Sequence, residues 1–195
     1  MRLFAAVVPP PECLDELGGV VDRLHRLPGA DRLRWTARPG WHLTLAFMGE
    51  VEEALLPELR ARLARAAHRT PPFPLRLHGG GRFGRSALWT GIAGDLDALR
   101  LLAERSDAAA RRAGVPMEEP RRYRAHLTVA RPRKEGAVDL RPFVAELAGL
   151  EGERWRVAEL ALLRSYLPVS GVPGEQPRYE TVGTWPLEGG EEGSG

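Results

Sequence analysis

Two passages of the chain share one phrase: "HLTLAFMG" at residues 42–49 and "HLTVARPR" at residues 126–133. There are only five histidines, so two of them followed by Leu-Thr-aliphatic, 84 residues apart, argues against coincidence. Both passages read as β-strands, with aliphatic and polar side chains alternating at period two. Residues two apart on a strand share a face. His42 and Thr44 therefore point one way, and Leu43 and Leu45 the other; His126 and Thr128 stand opposite Leu127 and Val129 in the same manner. Each strand keeps two aliphatics for a core and offers an imidazole and a hydroxyl on its other face. That second face suits the wall of a groove.

Working outward, "RLFAAVV" at residues 2–8 is a short apolar strand closed by three prolines. Leu14, Leu17, Val20 or Val21, and Leu24 fall at helical spacing over 12–27, with Pro10 and Pro11 at the start. The spacing predicts strands at 32–36 and 41–49, then a helix over 52–69 with Leu55, Leu59, Leu63 and Ala66 on one stripe. "FPLRLHG" and "ALWTGIA" predict a strand pair joined by the glycine-rich "GGGRFGRS". Asp95 is placed to cap a third helix that ends at Gly114 and Pro116. A strand at 123–131, a short helix around 140–149, and strands over 154–167 and 178–187 complete the chain. Strands and helices interspersed without a regular βαβ winding indicate an α+β fold. Each half carries a helix and a strand bearing His-Leu-Thr, which suggests a coarse duplication.

The bulk properties exclude several classes. No run approaches the ~20 apolar residues needed to span a bilayer, and the opening apolar stretch is too short for a signal peptide. Cys13 is the only cysteine, which leaves no internal disulfide and no Cys-rich metal site. A cytoplasmic setting and a monomer are the default expectations. The net charge is +2, and becomes +5 once the tail glutamates Glu188, Glu191 and Glu192 are set aside. A modestly basic body is compatible with a phosphate-bearing ligand but does not diagnose one. Residues 188–195, "EGGEEGSG", have no apolar anchor and are expected to be a disordered tail.

Set side by side, the two strands would bring two imidazoles and two hydroxyls into one groove. With an ordinary pKa of about 6.5, one imidazole can be a neutral base while the other is a protonated acid. Threonine hydroxyls can donate to negatively charged oxygens between them. The set fits in-line displacement at phosphorus, one histidine taking a proton from water and the other giving one to the departing oxygen. Zinc competes for paired histidines, yet it needs a third protein ligand, and the neighbours here are threonines rather than Asp, Glu or Cys. On spacing alone, two packing histidines on unrelated strands are also an option.

The paired His-x-Thr-x strands resemble the signature of the two-histidine (2H) phosphoesterases. The flanking text is similar to their bacterial RNA 2′,3′-cyclic phosphodiesterase branch, also called 2′-5′ RNA ligase. The likeness runs through "RLFAAVVPP", "RWTARPGWHLTLAFMGEV", "RFGRSALWTGIAG", "YRAHLTVARPR", "LALLRSYLPVSG" and "RYETVGTWPL". It implies two pseudo-symmetric lobes within residues 1–187, each with an antiparallel sheet and helices, facing a central cleft. His42 would be the proton donor to the leaving 3′ oxygen and His126 the proton acceptor that activates water. Thr44 and Thr128 would contact the phosphate. The implied partners are RNA ends or nucleotides carrying a 2′,3′-cyclic phosphate, opened to a 2′-phosphate with no metal or other cofactor. Other cyclic or 2′,5′-linked nucleotides, reverse ligation, and a non-catalytic RNA-binding module stay open. One departure is Ala125, where the family often has proline before the second histidine.

Other residues are less sharply defined. Arg131, five residues after His126, matches a common family arginine and is a candidate phosphate contact. On an ideal strand that odd offset faces away, so Arg131 reaches the groove only where the strand ends or bulges. Phe47, at the same offset from His42, is a candidate for stacking on a base, or a core residue. Arg121, Arg122 and Arg124 either track an RNA backbone or form a solvated face. Trp35 and Trp41 read as packing residues. His25, His68 and His78 stand outside the His-Leu-Thr phrase and receive no role.

Overall fold

A computed structural model describes residues 1–134 and 137–190. Nine strands and four helices are present among the described residues: β1 (Arg2–Val7), α1 (Pro11–Leu24), β2 (Leu33–Trp35), β3 (Leu43–Glu50), α2 (Leu56–His68), β4 (Phe73–Phe83), β5 (Ala87–Gly94), α3 (Leu96–Arg112), β6 (His126–Pro132), α4 (Arg141–Leu147), β7 (Trp155–Val157), β8 (Glu159–Tyr166) and β9 (Arg178–Pro186). They build two antiparallel sheets, in the orders β3-β1-β8-β9 and β2-β6-β5-β4-β7.

The duplication is visible in the topology. In each half a strand (β1 or β5) leads into a helix (α1 or α3), then into the motif strand (β3 or β6), then into a second helix (α2 or α4). Each motif strand pairs with the first strand of its own unit. The first helices cross over: α1 packs on β4 of the second sheet, whereas α3 packs on β3 of the first. One hydrophobic core joins the sheets, with Leu3, Leu43 and Leu160 from one and Leu75, Leu88 and Leu127 from the other, all fully buried. Removing such side chains from water is the dominant stabilisation of a fold of this size.

Local chemistry sets the helix ends. Pro11 opens α1, where a missing N–H costs no intrahelical bond. Asp95 caps α3 as expected, its Oδ1 accepting from the Ala98 N–H at 3.0 Å. The helix expected over 52–69 is shorter: residues 53–55 form a 3-10 turn, and α2 begins at Leu56 with Pro57 in its first turn. The strand expected over 154–167 is two strands. β7 lies at the edge of the second sheet on β4, and β8 lies inside the first between β1 and β9. The break falls at Ala158-Glu159, where alternation fails because two successive side chains are exposed. Of the tail, the Gly190 N–H donates to the His68 carbonyl at 2.8 Å and Glu188 contacts the His68 ring; residues 191–195 lie outside the described residues. No described helix is long and apolar enough to cross a membrane.

Candidate active site

β3 and β6 touch, and the motifs meet across a cleft of about 210 Å³. Its lining includes His42 and Thr44 from one motif and His126, Thr128 and Arg131 from the other. Thr36, Gly40 and Tyr179 complete it. Four residues of the repeated phrase thus come to one place; alternation puts each histidine on the face of its own threonine, and the contact of β3 with β6 joins the two pairs.

Arg131 reaches the cleft because β6 bulges. Leu88 and Trp89 are consecutive on β5 but face Ala130 and Thr128, so Val129 has no partner of its own. The extra residue reverses the parity of everything after it, and Arg131 returns to the face of Thr128. β3 bulges at the matching position: Ala5 and Ala6 face Ala46 and Thr44, leaving Leu45 over. Phe47 consequently shares a face with Thr44, because their partners Phe4 and Ala6 are two apart on β1. Phe47 does not line the cleft. Its ring is 48% exposed farther along β3, with the Arg2 guanidinium 4.6 Å from its centroid.

Each histidine has an aromatic collar. The His42 ring stacks on Phe4, with centroids 4.7 Å apart, and meets Tyr179 edge-on at 5.2 Å. Its Nδ1 is buried with no hydrogen-bond partner among the described residues. Burial alone lowers the His42 pKa to about 4, because the charged form would lose its hydration. His126 meets Phe83 edge-on at 4.8 Å and Trp89 at 6.2 Å. Gly81 makes room for Trp89; a Cβ there would lie 2.5 Å from the indole.

The two rings differ in one decisive contact. His126 Nδ1 lies 2.7 Å from the Arg124 carbonyl oxygen. A carbonyl only accepts, so Nδ1 carries the proton and the neutral ring has its lone pair on Nε2. Burial lowers the His126 pKa; the Arg124 carbonyl opposes this, and the positive charges of Arg131 and Arg124 add to it. Among the described residues no group of three or more His, Cys, Asp or Glu is gathered to hold a metal ion.

The remaining sequence candidates lie elsewhere. Trp35 and Trp41 pack and donate their indole N–H groups to the Ala30 and Thr36 carbonyls. Arg121, Arg122 and Arg124 are exposed, and Arg124 reaches over Phe83 at 5.8 Å. His25 packs against Trp35, His68 contacts Glu188, and His78 bridges to Glu151 in the sheet. Phe4, Thr36, Gly40, Phe83, Trp89 and Tyr179 carry no motif. Thr36, Gly40 and Tyr179 line the cleft, whereas Phe4, Phe83 and Trp89 stand behind the histidine rings; pairing between distant strands brings them there, and nothing local in the sequence announces it.

The 2′-5′ RNA ligase superfamily matches residues 11–167. The chain belongs to that superfamily. Within it, the chain is similar to two proteins named RNA 2′,3′-cyclic phosphodiesterase. One, from Geobacillus stearothermophilus, is 29% identical over 163 residues, covering 82% of this chain and 49% of its own. The other, from Thermus thermophilus, is 34% identical over 204 residues, covering 97% of this chain and 91% of its own. The chain therefore spans about half of the first relative and nearly all of the second. Among solved structures, E. coli LigT in apo form superposes with a TM-score of 0.72 at 27% identity, covering 95% of this chain and 96% of LigT. A structure from Thermus thermophilus gives 0.75 at 27% identity, covering 98% of this chain and 100% of its own. The α+β arrangement of two antiparallel sheets and four helices is that of these superfamily members.

Proposed function

We propose that this protein is an RNA 2′,3′-cyclic phosphodiesterase, opening cyclic phosphates on RNA ends or nucleotides to 2′-phosphomonoesters. The observation that carries the proposal is the convergence of His42, Thr44, His126 and Thr128 on one cleft. The names of the relatives support the same reaction. In this reading residues 1–187 are one bilobal, cytoplasmic, monomeric enzyme.

Substrate phosphorus lies between the two rings. His126 Nε2, unprotonated because Nδ1 donates to Arg124, removes a proton from water as its oxygen bonds to phosphorus. The bond from phosphorus to the 3′ oxygen breaks on the opposite side, and His42 supplies that oxygen with a proton. The 2′ oxygen keeps the phosphate. His126 ends protonated and His42 neutral, and exchange with solvent restores both. The Thr44 and Thr128 hydroxyls and the Arg131 guanidinium hold the non-bridging oxygens. Phe47, exposed on the same face as Thr44, offers its ring to a base of the RNA.

The proton on His42 depends on the substrate. In the free protein burial keeps that ring neutral at pH 7. A phosphodiester anion beside it favours the imidazolium, so the acid is loaded as substrate enters. Nothing in the donor set calls for a metal, and activity should persist in EDTA. Phosphorus NMR of adenosine 2′,3′-cyclic phosphate incubated with the protein and EDTA tests the proposal. The expected product is the 2′-phosphate; no turnover, or turnover abolished by chelation and restored by zinc, would refute it.

A further inference from the structure

Behind Arg131 the catalytic cleft opens into a second cavity of about 280 Å³, and Thr36, Arg131 and Tyr179 belong to both. Its outer wall is the β8–β9 loop. Gln176 ties that loop to β2, its amide N–H donating to the Trp35 carbonyl at 3.1 Å and its Oε1 accepting from the Ala37 N–H at 3.4 Å. Leu167, Pro168 and Pro177 give it an apolar rim.

Its charged wall is unusual. Arg34 on β2 stands directly opposite Arg131 on β6 in the ladder, and both line this cavity. Like charges placed opposite each other across a strand pair repel. Neither guanidinium has a carboxylate partner among the described ion pairs. The one carboxylate in the lining, Glu175, accepts instead from the Ser170 backbone N–H and hydroxyl. Two unneutralised guanidiniums side by side are matched by two anionic groups of a ligand.

Only Arg131 reaches the catalytic cleft; Arg34 lies one strand farther out. The in-line geometry proposed above puts the departing 3′ oxygen, and with it the ribose, on the His42 side, where Tyr179 and Thr36 lead into the second cavity. We infer that this cavity is a subsite for the terminal nucleotide, in which Arg34 binds the phosphate on its 5′ side while Arg131 binds the cyclic phosphate. The inference rests on the proposed phosphodiesterase reading and adds a substrate class: nucleotides and RNA ends carrying a 5′ phosphate or phosphodiester, in preference to bare nucleosides.

The test compares adenosine 2′,3′-cyclic phosphate with its 5′-phosphorylated form, on wild-type protein and on Arg34→Ala and Arg34→Gln. Wild-type kcat/KM should be roughly tenfold higher for the 5′-phosphorylated substrate, the scale of one charge-assisted contact at an open site. That advantage should shrink as salt is raised. Both variants should lose it and keep wild-type turnover of adenosine 2′,3′-cyclic phosphate, which also shows that they fold. Equal turnover of the two substrates by wild type, or an advantage that survives in either variant, overturns the subsite and leaves the phosphodiesterase reading standing. If wild type turns over neither substrate, the phosphodiesterase reading itself is lost, and the subsite with it.

Discussion

Leu45 and Val129 are the unpaired residues of the same bulge, made once in each motif strand. Each follows the motif threonine and precedes an alanine, Ala46 or Ala130. The repeat therefore extends beyond the histidine and threonine to the backbone irregularity that turns the next side chains. In β6 that irregularity brings Arg131 to the cleft.

If Arg131 holds a non-bridging oxygen, Arg131→Ala should lower kcat/KM by about ten- to a hundredfold, the scale of one electrostatic contact to a reacting phosphoryl group. Arg131→Lys should recover part of that loss, since an ammonium keeps the charge but not the planar fork. Steady-state kinetics on a cyclic substrate measures both. Stability should change little, because the Arg131 side chain is exposed.

The placement of Arg131 also marks how far the sequence could be read. Period-two alternation put His42 with Thr44, and His126 with Thr128, on a shared face, and the structure has them so because those residues precede the bulges. For Phe47 and Arg131, just beyond them, alternation reports the wrong face, and no glycine or proline announces the extra residue in Leu45-Ala46 or Val129-Ala130. The split of 154–167 into β7 and β8 falls at two successive exposed residues, Ala158 and Glu159; an alanine gives no polar signal of the break, and which sheet each half joins leaves no mark in the sequence either. Tyr179 reaches His42 only because β9 is the fourth strand of the first sheet, and pairing between distant strands leaves no local trace.

The buried His42 ring makes stability depend on pH. Its folded pKa, about 4, is below its ordinary 6.5, so the unfolded chain binds the proton first. The stability contributed by keeping it neutral is fully present above pH 6.5 and is lost as pH falls toward 4, by up to about 3 kcal/mol. Thermal melts from pH 7 to pH 4 should show a smaller acid-side fall in Tm for His42→Asn than for wild type. Equal falls would show that His42 is not the group responsible. Tyr179→Ala opens one side of the ring to water and should raise the His42 pKa toward 6.5, measured by proton NMR titration.

Acid and base roles can be separated through the leaving group. When sulfur replaces the bridging 3′ oxygen, the departing thiolate needs no proton. His42→Ala should then lose far less activity on the thio substrate than on the natural one, while His126→Ala should be equally impaired on both. The opposite pattern would exchange the two roles.

The central claim is that His42 and His126 act together on one phosphorus atom. Turnover of adenosine 2′,3′-cyclic phosphate by His42→Ala and by His126→Ala, each shown by circular dichroism to be folded, tests it most directly. Each variant should fall by about 10²–10⁴-fold in kcat, and the double variant should be little worse than either single one, because the two groups serve the same step. A folded single variant that retains near-wild-type turnover would contradict the claim.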